Sequence, residues 1–350
     1  MQQSINTYSK TLLLIVVFIT AFSCSKDEDI SNLDKTIFVR HKNADMPAYI
    51  HGNGSDKTFL IILHGGPGGN GLSYRTNTIK SRIEKECAVV YFDQRGSGMA
   101  QGSYSKNGIS VSIMAEDVLA LAKVIKHTYG NDSKLFLMGH SWGGTLGPAA
   151  LLKDQSDFLG WINVDGAHNP KDLYFEYITN FKRVATEQIE AENSVDFWEG
   201  VLELVNNVDA TQYNAEDSNK MNLKGHQAED NFRNDGLTDK WNDDNDKIAF
   251  QYNILTTLWN GNNTQSILAD KGLWKVLNYT DRLSEITIPS LVLWGKHDMV
   301  IPIFFAQESF DNLGAAEKKL VIFERSGHSP MFNEPDLFAD EVIQFINQNR

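Results

Sequence analysis

The sequence has little cysteine. Only Cys24 and Cys87 occur among its 350 residues. Cys24 precedes a charged linker, whereas Cys87 begins an apolar run, residues 87–92, that is typical of a buried strand. A disulfide between a linker and a core strand is implausible, so no disulfide framework is expected. Cys87 is therefore predicted to be a packed core residue.

Positive charge is also scarce. The chain has 32 Lys and Arg against 45 Asp and Glu, a net charge of −13. Because nucleic-acid phosphates select for Lys and Arg, this balance argues against a nucleic-acid partner, and its simplest role is to keep the protein soluble. The nine histidines are scattered without ligand spacing, so no metal site is predicted. The chemistry described below needs no cofactor.

The apolar run near the amino terminus, residues 12–22, is too short to span a bilayer as a helix and fits the apolar region of a signal peptide. Ser23 and Cys24 at its end resemble a bacterial lipoprotein signal, and residues 25–29 resemble the export tag of Bacteroidetes-type surface lipoproteins. These resemblances imply an exported protein, periplasmic or at the cell surface, anchored to the outer membrane only through a lipid on Cys24. A plain secretory signal followed by a charged linker is the alternative.

Short apolar runs alternate with amphipathic stretches from about residue 36. Such runs are typical of strands buried on both faces of a parallel sheet, and an amphipathic stretch at residues 111–129 predicts a helix. The alternation predicts an α/β fold with a mostly parallel, doubly wound sheet. The predicted strands occupy residues 59–63, 88–92, 135–138, 161–164, 291–294 and 320–323.

The alternation of apolar runs and amphipathic stretches is interrupted between residues 168 and 280. The chain is polar there, and only helices are expected. We therefore predict four parts. They are a signal peptide with the lipidation cysteine (1–24), an acidic tether (25–35), a sheet domain in two segments (36–167 and 281–350), and an inserted helical cap (168–280).

A Gly-His-Ser-Trp-Gly motif at 139–143 follows a predicted strand and precedes a predicted helix. This is the context required of a nucleophile elbow, in which a serine lies on a tight strand-to-helix turn. Helix N–H groups at such a turn favour developing negative charge. Ser141 is therefore predicted to be a nucleophile, in preference to a plain helix-capping serine.

A second glycine-rich segment, His-Gly-Gly-Pro-Gly-Gly at 64–69, follows the predicted strand 59–63. In α/β proteins with a nucleophile elbow, such a loop supplies one N–H of the oxyanion hole, and the residue after the nucleophile supplies the other. Gly66 and Trp142 are therefore the predicted oxyanion-hole donors. A phosphate-binding loop is disfavoured because no Gly-Lys-Ser/Thr follows.

A serine hydroxyl needs a base to accept its proton. His328 is the last histidine and lies just past the predicted strand 320–323, which suits the chain order of serine, acid and histidine. Asp298, after the strand 291–294, is the predicted acid that orients the imidazole. Asp165, after the strand 161–164, is the less favoured alternative. His140 and His297 are predicted to be packing or pocket residues.

Three blocks together resemble the proline iminopeptidase family of serine peptidases: His-Gly-Gly-Pro-Gly at 64–68, Asp-Gln-Arg-Gly-Ser-Gly at 93–98, and the elbow at 139–144. The resemblance covers the sheet domain and implies an α/β-hydrolase fold with a helical cap. It also implies release of an N-terminal proline or other small residue from peptides. By the same resemblance Asp93 and Arg95 brace the site.

The resemblance further implies that acidic cap residues bind the free α-amine of the substrate, with Glu199 and Glu229 as candidates. The chain departs from the family's Trp-x-x-Trp-Glu pattern, since it has only Phe-Trp-Glu-Gly at 197–200. A second departure is His140, at the elbow position before Ser141, where the family more usually has glycine.

Three functional hypotheses remain open. An aminopeptidase requires a carboxylate pair that faces Ser141 from the cap. A carboxylesterase or amidase on the same residues predicts an apolar acyl pocket without an acidic cluster. A catalytically silent surface binding module would require a damaged triad, and the sequence retains an intact set. Small peptides or esters are the expected substrates.

Overall fold

The computed structural model describes residues 29–102, 104–241 and 252–350. Residues 31–350 form one compact unit. The predicted signal peptide, Cys24 and residues 25–28 of the predicted tether lie outside the described residues. Within the described part of the chain, every helix is too short or too polar to cross a membrane.

The described residues form a nine-stranded sheet surrounded by helices. The strands are β1 (Leu33–His41), β2 (Ala44–Gly52), β3 (Thr58–Leu63), β4 (Ala88–Phe92), β5 (Gln101–Gly102), β6 (Lys134–His140), β7 (Phe158–Val164), β8 (Ser290–Gly295) and β9 (Lys318–Phe323). The helices are α1 (Glu84–Glu86), α2 (Val111–Tyr129), α3 (Gly143–Leu151), α4 (Pro170–Glu190), α5 (Val195–Asn206), α6 (Ala215–Asn234), α7 (Ile254–Asp270), α8 (Leu273–Val276), α9 (Phe304–Asn312), α10 (Pro330–Asn333) and α11 (Pro335–Asn349).

The strand order is β1-β2-β4-β3-β6-β7-β8-β9, and the short β5 pairs with β2. All pairings from β4 to β9 are parallel, whereas β1 and β2 are antiparallel to their neighbours. The predicted mostly parallel, doubly wound sheet is confirmed. Because parallel strands carry their loops at the same edge, the segments that follow β3, β6, β7, β8 and β9 share the carboxyl edge of the sheet.

The central strands form where the sequence has uninterrupted apolar runs. Every residue of β3, β4 and β8 is buried, as expected for strands covered by helices on both faces. Helix α2 spans the predicted residues 111–129. It begins where the Ser110 hydroxyl accepts a hydrogen bond from the Ile113 N–H, and it ends at Gly130, which has a φ of 117°.

The amino-terminal hairpin, β1 and β2, was not predicted. β1 begins at Leu33, so residues 33–35 belong to the sheet and not to the tether. Leu33 is buried and pairs with Gly52 of β2. The exposure of residues along β1 alternates, which is typical of an antiparallel strand with one solvent face, and such a strand lacks the continuous apolar run that marks the central strands.

Within residues 168–280, the described part contains helices α4 to α8 and no strand. We call these helices the cap. The asparagines that make this stretch polar include its helix N-caps, because the side chains of Asn169, Asn214 and Asn253 accept hydrogen bonds from the first-turn N–H groups of α4, α6 and α7. Asparagine is among the best N-cap residues, so the polar composition contributes directly to helix formation.

Candidate active site

Ser141 lies between the end of β6 and the start of α3, with a φ of 55°. Left-handed backbone at a non-glycine residue is strained and is typical of a nucleophile elbow. The glycines of the motif, Gly139 and Gly143, are required because no side chain fits at either position. A Cβ at Gly143 would overlap the Leu63 carbonyl oxygen, and one at Gly139 would overlap the carbonyl of Gly143.

Ser141 opens onto a cavity of about 250 Å³, which Gly66 and Trp142 also line. The predicted nucleophile and both predicted oxyanion residues therefore share one cavity. The other polar lining residues are Tyr177, Ser218, Asn219, Asn222, His226 and Gln265. The apolar lining residues are Pro67, Ala167, Leu173, Trp274, Val300 and Ile301. Among the described residues, no carboxylate lines this cavity.

His328 and Asp298 are in direct contact. The Nδ1 atom of His328 lies 2.8 Å from Asp298 Oδ2, and both side chains are buried. The other oxygen, Asp298 Oδ1, accepts from the N–H groups of Val300 and Ile301 at 2.7 and 2.8 Å. These two bonds fix the carboxyl group and favour its ionised form, but burial outweighs them and raises the pKa of Asp298 to about 8. Because Nδ1 faces the carboxylate, Nε2 is the nitrogen left to act as a base.

Burial lowers the pKa of His328 to about 3, which keeps the imidazole neutral and able to accept a proton. The His328 ring packs against His140, the residue before Ser141, with 4.8 Å between ring centroids. The predicted base is thereby held beside the turn that carries Ser141.

Asp165, the less favoured acid, has a different partner. Its Oδ1 accepts from the Gly295 N–H at 2.8 Å, and Oδ2 has no hydrogen-bond partner in the described part of the chain. Burial and the negative charge of Asp298 raise the pKa of Asp165 well above its usual range. Asp165 therefore bonds the backbone at the end of β8, while Asp298 is the carboxyl that contacts the imidazole.

The Asp-Gln-Arg-Gly loop after β4 braces the glycine-rich loop. Asp93 accepts from the N–H groups of Gly71 and Met99, both at 2.8 Å. Arg95 is buried and pairs with both oxygens of Asp117 at 2.7 Å. Asp93 thus ties its loop to residues 71 and 99, and Arg95 ties it to α2; the bracing role that the resemblance implied stays a prediction.

Gln94, between them, is a residue to which the sequence analysis gave no role. Its amide nitrogen donates to the His64 carbonyl at 3.0 Å, and its oxygen accepts from the Trp142 indole N–H at 2.8 Å. One side chain thus connects the two segments that carry the predicted oxyanion donors. Its position between Asp93 and Arg95 was the only available signal.

The two cap carboxylates lie in different places, and neither lines the described cavity. Glu199 is exposed on α5. Glu229 on α6 is buried, and its Oε1 accepts from the His328 N–H at 3.1 Å. Burial and the Asp298 charge raise the pKa of Glu229 to about 8. Glu229 therefore contacts the backbone of the predicted base, not the substrate space.

His226, also on α6, is a cavity residue that sequence reasoning missed. Its ring lies 6.3 Å from that of His328 in an edge-to-face arrangement, and burial lowers its pKa. As an isolated histidine in a polar helix it offered no signal. No group of three or more His, Cys, Asp or Glu within the described ranges is arranged to hold a metal ion.

Known protein families and individual proteins resemble this chain over most of its length. The family described as alpha/beta hydrolase fold matches residues 58–335. The chain is 26% identical over 315 residues to "Probable aminopeptidase YbaC" of Bacillus subtilis (strain 168), covering 86% of this chain and 92% of that protein.

Two solved structures share the architecture. The proline iminopeptidase of Mycobacterium smegmatis superposes with a TM-score of 0.61 at 17% identity, covering 90% of this chain and 98% of that one. An esterase from Exiguobacterium antarcticum gives 0.56 at 17% identity, covering 90% and 100%. At these identities the two structures establish the fold alone.

Proposed function

This chain belongs to the alpha/beta hydrolase fold family and is a hydrolase, and we propose that it is a serine aminopeptidase. In this proposal it releases an N-terminal proline or another small residue from peptides, through an acyl-enzyme on Ser141. The size of the cavity beside Ser141 carries the proposal. At about 250 Å³, it is smaller than the roughly 300–1,000 Å³ of sites for drug-sized ligands. Such a space suits one small residue better than the interior of a long chain.

The proposed chemistry is acyl transfer in two steps. His328 Nε2 takes the hydroxyl proton as Ser141 attacks the carbonyl carbon, and Asp298 stabilises the resulting imidazolium. The N–H groups of Gly66 and Trp142 donate to the oxyanion, and each such donor contributes roughly 10²–10³ in rate. His328 then protonates the leaving amine, and a water molecule activated by the same imidazole hydrolyses the acyl-enzyme.

The carboxylate pair that an aminopeptidase was expected to present from the cap does not occur among the described residues that line the cavity, which counts against this proposal. Neutral acceptors would therefore have to bind the substrate's amine. Asn222 Nδ2 donates to the Tyr177 hydroxyl at 2.9 Å, and that hydroxyl donates to the Val300 carbonyl at 2.7 Å. This arrangement leaves the Oδ1 of Asn222 as an acceptor in a wall of the cavity. A neutral oxygen attracts an ammonium less strongly than a carboxylate does, so we expect only a modest preference for free amines.

A carboxylesterase or amidase of small acyl groups is the second candidate. One observation favours it specifically: in the described part of the chain, the residues that line the cavity include no Asp or Glu. The walls are apolar or neutral, which suits an acyl chain and offers no fixed negative charge to an α-amine.

The test compares three substrates with soluble protein that lacks residues 1–24. They are a prolyl arylamide, its N-acylated form, and a short-chain nitrophenyl ester, with Ser141→Ala as the blank. A preference for the prolyl arylamide that is lost on acylation supports the aminopeptidase. Turnover of the ester without the arylamide contradicts that proposal and supports the esterase. Activity toward none of them above the blank would contradict both and support a silent binding module.

We further propose that the protein is exported and anchored through a lipid on Cys24. The support is sequence alone: the short apolar run 12–22, the Ser23-Cys24 pair, and the charged residues that follow. In this proposal, the protein binds the membrane through the lipid on Cys24.

A further inference from the structure

Both backbone polar groups of His328 are hydrogen-bonded to buried side chains from distant parts of the chain. The N–H donates to Glu229 Oε1 at 3.1 Å, and the carbonyl oxygen accepts from His140 Nε2 at 2.6 Å. Glu229 and His140 are each only 6% exposed. Glu229 comes from the cap, and His140 from the end of β6. The peptide groups on both sides of the predicted base are therefore held from two directions.

The contact with His140 continues into the glycine-rich loop. Since a carbonyl can only accept, the Nε2 of His140 carries the proton. Burial lowers the pKa of His140 to about 3, so its Nδ1 is an acceptor. The Tyr74 hydroxyl donates to this Nδ1 and accepts from the Gly65 N–H at 2.8 Å. One chain of hydrogen bonds thus joins the residue before Gly66 to the carbonyl of His328.

The contact with Glu229 continues into the cap. Four residues about one turn apart lie on one face of α6: Asn222, Gly225, His226 and Glu229. This face is directed toward the loop that carries Asp298 (the acid loop) and the loop that carries His328 (the base loop). Gly225 packs so closely that a Cβ there would overlap the Met299 carbonyl, and a Cβ at Gly327 would overlap the Glu229 carboxylate. Gly225 thus lies against the acid loop, and the carboxyl of Glu229 lies against the base loop.

We propose that His140 and Glu229 are positioning residues, which together clamp the main chain of His328 and so set the orientation of its imidazole toward Ser141. The inference rests on the proposed function, because it gives His328 the role of base. Neither side chain lines the cavity, so each acts through His328 and not on the substrate. A misplacement of a catalytic group by about 1 Å can cost roughly 10²-fold in rate. Releasing the two peptide groups of His328 should therefore lower the rate measurably.

Two matched pairs of substitutions test the clamp. Glu229→Gln keeps an acceptor for the His328 N–H, whereas Glu229→Leu removes it at similar size. His140→Gln keeps a donor for the His328 carbonyl, whereas His140→Leu removes it. Each variant is assayed for kcat and KM on the best substrate, for its rate of labelling by a fluorophosphonate, and for its thermal unfolding. Where a Leu variant does not fold, the smaller Ala variant replaces it.

We expect each Leu variant to lose about 10- to 100-fold in kcat and in labelling rate, with KM within about twofold. Each Gln variant should retain at least about tenfold more activity than its Leu partner. Folded Leu or Ala variants that label as fast as wild type would overturn the clamp. A Glu229→Gln variant whose KM rises only for free-amine substrates would also overturn it, because Glu229 would then bind the amine.

Labelling separates this inference from the proposed function. The fluorophosphonate reports activation of Ser141 without requiring the natural substrate. Wild-type protein that labels no faster than Ser141→Ala would contradict the proposed function itself. Labelling of wild type that persists unchanged in all four variants would contradict only the clamp.

Discussion

At the scale of single residues, the sequence offered two candidate acids, Asp165 after β7 and Asp298 after β8, and Asp298 is the one that contacts the His328 imidazole. Asp298→Asn should lower kcat by about 10³- to 10⁴-fold, because an amide can neither fix the required tautomer nor stabilise the imidazolium. Asp165→Asn should stay within about threefold in kcat, under about 1 kcal/mol, since Asp165 bonds Gly295 and not the imidazole, and Asn keeps the acceptor for the Gly295 N–H. Turnover of an activated ester measures both, and thermal unfolding checks folding. Equal losses in the two variants would make Asp165 a second catalytic acid.

The site residues that the sequence could propose are those next to a recognisable local pattern, and their catalytic roles stay predictions. Ser141, Asp298 and His328 each follow a buried strand, and their order along the chain restricts their roles. The contact between His328 and Glu229 joins residues 99 positions apart, and that between His140 and His328 joins residues 188 apart. No local pattern encodes such contacts, so His140 was assigned to packing or the pocket and Glu229 to amine binding.

At the scale of secondary structure, helix α6 must lie close to the acid loop for Glu229 to reach His328. Gly225 allows this approach, because a Cβ there would overlap the Met299 carbonyl. Gly225→Ala should therefore push α6 away, costing about 1–3 kcal/mol in unfolding free energy and lowering kcat. Calorimetry and ester turnover measure the two effects.

Gly200→Ala is the matched control, because it places the same substitution within another cap helix. A Cβ at Gly200 would meet nothing within 4 Å, so the helix propensity of alanine should stabilise α5 by up to about 1 kcal/mol and leave kcat unchanged. If both substitutions stabilise the protein and neither alters kcat, the close packing of α6 has no role in the site.

The central strands were the most predictable elements. A strand covered on both faces must be apolar at every position, and that run is visible without knowing its neighbours. In β1, at the edge of the sheet, buried and exposed residues alternate, so the strand lacks a long apolar run and its start at Leu33 was assigned to the tether. The cap was predictable as helical, but the placement of α6 against the base loop depends on contacts between distant segments.

At the scale of the whole molecule, attachment to a membrane would depend on the amino-terminal segment. No helix in the described ranges could cross a bilayer, and a net charge of −13 would be repelled by anionic lipids. A covalent lipid contributes about 0.8 kcal/mol per buried CH₂ group, so the proposed modification of Cys24 would supply a membrane attachment.

Expression of the full chain in a bacterium that processes lipoproteins tests this role of Cys24. Wild-type protein should incorporate labelled palmitate and sediment with membranes, whereas Cys24→Ser should do neither. Cys87→Ala is the matched control, because Cys87 is the buried free cysteine and its loss should leave label and fractionation unchanged. Wild-type protein that is exported but unlabelled would support a plain secretory signal. Membrane association that survives Cys24→Ser would instead show that attachment does not require a lipid at this position.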